Sequence, residues 1–363
     1  MTKISWWKTN FGEAEIEHVV QSIRHKNVSQ GKVTAEFENK LADFLKVEHV
    51  VAASSGSSAL LMSLMAIGIK PGDEVILPNR TWIATAHAVH LLGAKVVLVD
   101  VEKKRLAIDV HQIESKITTN TRAIVPVHMN GRSCDMDKIN QIASKHNLYV
   151  IEDAAQAFAS KDKYDNYLGT QSDIGCFSLS VAKLIATGQG GFAVTNNSDL
   201  ADRLRSVRTH GVENIQDPKV WPMPGFNFRF TDIQASIGIE QLRRVPNRID
   251  HLRKLYIKYR KELKHSSFQI IPVDIESGEI PLYNEYLVDD RDNWVTKLLA
   301  DGIETRPFYP SISAASYIKQ RRYDAYPNSI RYENNGIYLP SGPDQPLDNV
   351  RLSIESIMKN LQL

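Results

Sequence analysis

The chain has 363 residues, 42% hydrophobic and 24% charged, which is the composition of a folded globular protein and a length that predicts about two domains. Its 44 Lys+Arg against 42 Asp+Glu leave a formal charge of +2, which argues against the concentrated basic face of a nucleic-acid binder. No apolar run approaches the ~20 residues of a membrane span, no secretory leader is expected, and the two cysteines, Cys134 and Cys176, make neither a disulfide framework nor a zinc pattern. A cytoplasmic protein with reduced thiols and no metal site is expected.

In chain order, "GEAEIEHVVQSIRHK" sets Ile16, Val19, Val20 and Ile23 at i, i+3, i+4 and i+7. That spacing predicts an amphipathic helix with its apolar stripe toward a core. From about residue 50, short apolar runs alternate with helical segments: "VVAA", a helix "ALLMSLMAIG", "EVILP", a helix through "IATAHAVHLLG", "KVVLVDV", a helix near "DVHQIESKI", "AIVPVHM", a helix "MDKINQIASKHN" and "YVIED". Strands separated by helices of this length indicate an α/β fold, a mostly parallel sheet flanked by helices. "QDPKVWPMPGFNFRF" interrupts the pattern, and a helix follows from the capping pair Thr231-Asp232. A second unit is expected from about residue 246, where helices mix with the short strands of "FQIIPV", "PLYNEYLV" and "ETRPFY". The division is therefore a large domain over 1–245 and a smaller α+β domain over 246–363, with the first ~15 residues able to pack on the latter.

Ligands of such sheets bind outside the carboxyl ends of the strands, and three segments put polar groups there. In "AASSGSSALL" a strand leads through a Ser/Gly turn into a helix starting near Ser57 or Ser58, whose free N–H groups suit an anion or simply an ordinary cap. In "YVIEDAAQA", Glu152 and Asp153 end an apolar strand, and Asp153 either caps a helix beginning at "AAQA" or faces a positive nitrogen. In "CFSLSVAKLIATGQGG", Lys183 lies five residues after Ser178, as a snorkelling lysine or a reactive amine, and the glycines precede another strand, "FAVTN". An anion cradle, an acid and a lysine at one sheet edge suit an anionic aromatic aldehyde with a basic ring nitrogen, and pyridoxal 5′-phosphate fits that description. A primary amine condenses with the aldehyde, and the carboxylate keeps the ring nitrogen protonated.

With these segments in order, and with "SQGKVTAEFENKLADFL", "PGDEVILPNRTWIATAHAV", "GRSCDMDKINQIA", "GFNFRFTDIQASIGIEQL", "DDRDNWVTKLLADGIETRPFYP" and "IYLPSGP", the chain resembles the DegT/DnrJ/StrS sugar aminotransferases nearly end to end. The resemblance implies the aspartate aminotransferase fold, fold type I. It implies Lys183 as the Schiff-base lysine, Asp153 on the pyridine nitrogen and Gln156 on the phenolic oxygen. Ser57, Ser58 and Ser178 would hold the phosphate, Trp82 would stack on the ring, and Asn227 would reach the phosphate of a neighbouring subunit, so that a homodimer with shared sites follows. Ser57 stands for the family's usual threonine, Ala159 for a glycine, and "SISAAS" after "RPFYP" lacks a frequent histidine.

The expected activity is transfer of the amino group of L-glutamate, through pyridoxamine phosphate and with release of 2-oxoglutarate, to a nucleotide-linked keto sugar. "TGQGG" looks closer to members acting at C-4 than at C-3, and the product would serve a polysaccharide or glycoconjugate. The alternatives are a keto-inositol or secondary-metabolite substrate, a non-catalytic regulator with this fold, and a nicotinamide oxidoreductase, which the absent glycine fingerprint disfavours.

Overall fold

Apolar runs bounded by turn residues become the strands of the main sheet: β1 (His49–Ala53), β2 (Glu74–Pro78), β3 (Lys95–Val99), β4 (Thr121–Ile124), β5 (Tyr149–Asp153), β6 (Ile174–Ser178) and β7 (Gly191–Thr195). The structure is a computed structural model that describes residues 3–217, 219–318 and 325–361. The strand order is β1-β7-β6-β5-β4-β2-β3. All five residues of β2 are buried, as a central strand with both faces covered requires.

The pairs of β2 with β3 and β4, of β4 with β5 and of β5 with β6 are parallel. Strand β7 runs antiparallel to both β6 and β1, so the sheet is mixed at that edge. The reason is local: the link between β6 and β7 holds no helix, and a parallel return needs a long crossover. Lys183, Gly188 and Gly190 occupy this helix-free link, and Gly191 opens β7.

A smaller antiparallel sheet follows, from β8 (Gln269–Ile270), β9 (Asn284–Leu287), β10 (Arg306–Pro307) and β11 (Gly336–Leu339), in the order β10-β11-β9-β8. The helix Val245–Glu262 leads into it, and Ile4 and Trp7 at the other end of the chain make bridges to Ile303 and Ser341. Among the described residues no helix is long and apolar enough to cross a membrane.

Several local expectations are corrected. The first helix, Glu13–Arg24, leaves Ile16 and Ile23 more than half exposed and buries Glu15 and Ser22 instead. Its partner is the polar flank of the helix Asp232–Arg243, where Gln241 Nε2 donates to Glu15 Oε1 at 2.6 Å and His18 meets Glu240 at 3.0 Å. The segment near "DVHQIESKI" forms only the short turn Val110–Ile113 and a 3-10 turn. No helix begins at "AAQA", where the chain turns twice. Thr231 caps as expected, its Oγ1 accepting from Gln234 N at 3.2 Å. Asp232 caps a different helix, Lys32–Leu45, by accepting from Gly31 N and Thr34 N at 2.8 Å each.

Ala159, where the resemblance implies a glycine, is buried and keeps a glycine-like backbone with φ 66°. A side chain in that region costs about 1–2 kcal/mol because Cβ crowds the following carbonyl. Ala159→Gly is therefore expected to raise the midpoint of thermal unfolding by a few degrees. A lower midpoint would show that the methyl's packing outweighs the strain.

Candidate active site

The carboxyl ends of β5 and β6 and the start of the helix Gly56–Ala66 meet around Lys183. The helix begins one to two residues earlier than the Ser57/Ser58 boundary, because Ser55 is the residue whose hydroxyl accepts from Ser58 N, at 3.0 Å. Gly56 N and Ser57 N have no protein acceptor among the described residues. Ser57 is exposed, and the buried Ser58 hydroxyl shares hydrogen bonds with Ser54 (2.9 Å) and Ser55 (2.8 Å). Ser178, the last residue of β6, packs directly on this turn: a Cβ on Gly56 would stand 2.9 Å from Ser178 Cβ. Gly191 serves the same close approach, since a Cβ there would lie 2.5 Å from Gly56 N. Three serines and two free amides thus share one helix N-terminus, an anion site with hydroxyl donors.

Asp153 ends β5 and is buried. Its Oδ2 accepts from the Thr85 hydroxyl at 2.7 Å and its Oδ1 from Ala155 N at 3.1 Å, so the side chain ties a turn rather than capping a helix. No cation pairs with it at ion-pair distance among the described residues, and burial raises its pKa, with the charge of Lys183 and these hydrogen bonds opposing. Glu152 points elsewhere: it accepts from Gly169 N, Gln171 N and Ser172 Oγ and from His128 Nε2 at 2.8 Å. Only Asp153 of the adjacent acids is free to serve a ligand.

Lys183 is half-buried, with no hydrogen bond at its Nζ among the described residues. It lines a small crevice with Ala155, Gln156, Ser178, Leu184 and Ile280. Burial pushes its pKa down to about 8, with Asp153 opposing. The backbone around it is pinned from afar: Trp7 Nε1 donates to Val181 O at 2.8 Å, and the Tyr283 hydroxyl donates to Ala182 O at 2.8 Å.

Gln156 reaches the same crevice, and its Oε1 accepts from Asn130 N at 2.9 Å, which turns the amide NH2 outward. Trp82 is 56% exposed, which rules it out as core, and stands edge-on to Tyr309 with centroids 5.4 Å apart. Asn227 is exposed, engaged by Arg229 Nε at 2.8 Å, and is not among the residues lining the Lys183 crevice.

Sequence reasoning missed Thr85, Asn130, Trp7 and Tyr283. Thr85 carried a local signal, as a hydroxyl residue in the first turn of the helix Ala84–Leu91, three residues after Trp82. The others act across separations of 26 to 174 residues that no local pattern reveals.

A primary amine of lowered pKa, a buried carboxylate lacking a cation and an anion cradle at one sheet edge fit pyridoxal phosphate. The family match and solved structure that follow make the protein a pyridoxal-phosphate-dependent aminotransferase of fold type I. Asp153, hydrogen-bonded but without a cation, and the free amides of Gly56 and Ser57 are the complements of a protonated ring nitrogen and a phosphate. The profile of the DegT/DnrJ/EryC1/StrS aminotransferase family matches residues 9–358, and the chain belongs to that family. It is 38% identical over 291 residues to a GDP-perosamine synthase of Caulobacter vibrioides, covering 78% of each chain. It is 36% identical to the GDP-perosamine synthase of Escherichia coli O157:H7, over 91% of this chain and 90% of that one. Among solved structures it is similar to S. venezuelae DesV, at 25% identity and a TM-score of 0.95, over 100% of both chains.

The depressed lysine predicts a pH signature. In the unfolded chain Lys183 stays protonated to about its ordinary 10.5, but in the folded protein only to about 8. Between those values the unfolded state binds more protons, so Lys183 makes stability rise with pH. Urea unfolding of cofactor-free wild type and Lys183→Met is expected to give a stability difference, wild type minus variant, that is flat from pH 6 to 7.5 and climbs from 8 to 10. A flat difference throughout would mean an unperturbed amine.

Proposed function

We propose that the protein moves the amino group of L-glutamate to a nucleotide-linked keto sugar, at C-4 in preference to C-3, releasing 2-oxoglutarate and a nucleotide-activated amino sugar for a polysaccharide or glycoconjugate. The observation that carries this is the convergence of Lys183, Asp153 and the Ser57/Ser58/Ser178 cradle. The likeness to two GDP-perosamine synthases makes a GDP-linked sugar the first substrate to try.

Pyridoxal phosphate supplies an aldehyde for amine condensation and a ring that accepts electrons. Gly56 N, Ser57 and Ser58, with Ser178, bind the phosphate in this scheme. Asp153 holds a proton on the ring nitrogen, steadied by Thr85. Gln156 donates its amide N–H to the phenolic oxygen, and Trp82 covers the ring face. Lys183 Nζ, poised near pH 8, takes up and returns the proton that moves during transfer.

We also infer a cytoplasmic homodimer in which Asn227 serves a second copy's site. Its exposure, and the exposed Val220, Trp221 and Phe226 beside it, support that inference. We infer a division of the chain at 245/246 as well, with Ile280 of the second unit lining the crevice beside Lys183.

The test is the visible spectrum of the protein loaded with cofactor. L-Glutamate is expected to bleach the band, and one member of a panel of GDP-, UDP- and dTDP-linked 4-keto and 3-keto sugars to restore it. Lys183→Ala is expected to lose about 10²–10⁴-fold or more in turnover. Bleaching without restoration by any sugar would leave a transaminase of another acceptor, such as a keto-inositol. A fully active Lys183→Ala would overturn the mechanism.

A further inference from the structure

Arg80 stands where the chain leaves β2, in "PNRTW", and its side chain is wholly buried. Its Nη1 donates to the Tyr309 carbonyl, and its guanidinium carbon lies 4.4 Å from the centroid of the Tyr309 ring and 5.2 Å from that of Phe308. Among the described residues, Arg80 Nε and Nη2 have no hydrogen-bond partner and no carboxylate pairs with the guanidinium. Asn79 Nδ2, Ser311 Oγ and Ser313 Oγ are likewise buried and unpaired, although Ser313 N donates to Asn79 Oδ1 at 2.8 Å. A buried cation without a counter-charge weakens the fold, and an apolar side chain of similar length would fill the space at less cost.

The side chain is too deep to touch a ligand, so whatever it contributes passes through Tyr309. That residue touches both Trp82 and Gln156. Trp82 stands against its ring at 88°, its hydroxyl donates to Met129 Sδ at 3.7 Å, and the Gln156 amide lies beside the same hydroxyl. Trp82 and Gln156 therefore lean on one aromatic ring, whose backbone and face are both held by Arg80.

We propose that Arg80 is a positioning residue that, by fixing the carbonyl and ring of Tyr309, sets Trp82 and Gln156 in the orientations that receive the cofactor. This rests on the assignment above of Trp82 and Gln156 as cofactor contacts. Electrostatics agree with the geometry. Burial raises the Tyr309 phenol to about 12, and the charge of Arg80 opposes that rise.

The experiment compares Arg80→Met, Arg80→Lys, Tyr309→Leu and Arg80→Met/Tyr309→Leu. Three quantities are measured: the thermal midpoint of the cofactor-free protein, the pyridoxal phosphate dissociation constant by absorbance titration, and acrylamide quenching of Trp82, isolated by difference against Trp82→Phe. Arg80→Met is expected to keep or raise the midpoint, to weaken cofactor binding at least tenfold and to increase Trp82 quenching. Arg80→Lys should recover part of the loss. In the Tyr309→Leu background, adding Arg80→Met should cost less than threefold, because the two act as one unit. A midpoint that falls, with losses that multiply in the double variant, would make Arg80 merely structural and overturn the proposal. So would unchanged binding and quenching in Arg80→Met. If wild type takes up no cofactor, the assigned function fails, while Trp82 quenching in the cofactor-free protein still decides whether Arg80 orients it.

Discussion

Two ionisable groups at one sheet edge, Asp153 buried and Lys183 half-buried, set the terms for the rest of the molecule. Burial drives Lys183 toward its neutral amine and Asp153 toward its protonated form, and each group's charge resists the discharge of the other. A nucleophilic amine near neutral pH and a buried carboxylate with no cation at ion-pair distance are products of that one balance. Exposed to solvent, the same residues would be an ordinary lysine and an ordinary aspartate.

Holding the balance requires stiffness from distant parts of the chain. The loop bearing Lys183 is helix-free, and its carbonyls are taken by an indole from the N-terminal segment and a phenol from the second unit. Thr85 and Ala155 N hold the aspartate, and Asn130 sets the amide of Gln156. Glycines act by absence: Gly56 and Gly191 let the helix start, β6 and β7 come close enough for the serines to converge. Where the chain departs from glycine, at Ala159, the backbone keeps the strained conformation instead of relaxing. The surrounding packing dictates that turn more strongly than the residue within it.

The antiparallel β7 links fold to chemistry. A helical crossover after β6 would have given a parallel strand and carried Lys183 away from the sheet edge. The short return keeps it beside Ser178 and within reach of the charge of Asp153, at the carboxyl ends where open α/β sheets hold ligands. The resulting class, a fold type I aminotransferase, follows from this placement together with the family match.

Much of this was legible in the residues. β2 fell where "EVILP" alternates with turn signals, Thr231 capped its helix, and Lys183, Asp153, Ser178 and the Ser-Gly turn were named as one site because strand ends put polar groups at one edge. Those inferences rest on periodicity and local hydrogen bonding, which a linear string encodes directly. The buried face of the first helix was misread, since Ile16 and Ile23 remain exposed while Glu15 meets Gln241. The helix after Asp153 was misread as well, and Trp7, Tyr283 and Asn130 went unseen. The sequence by itself determined which residues have the chemistry and which strands present them. Only the tertiary structure decided which partners hold them, because burial, charge coupling and hydrogen bonds across long separations depend on three-dimensional proximity rather than on spacing along the chain.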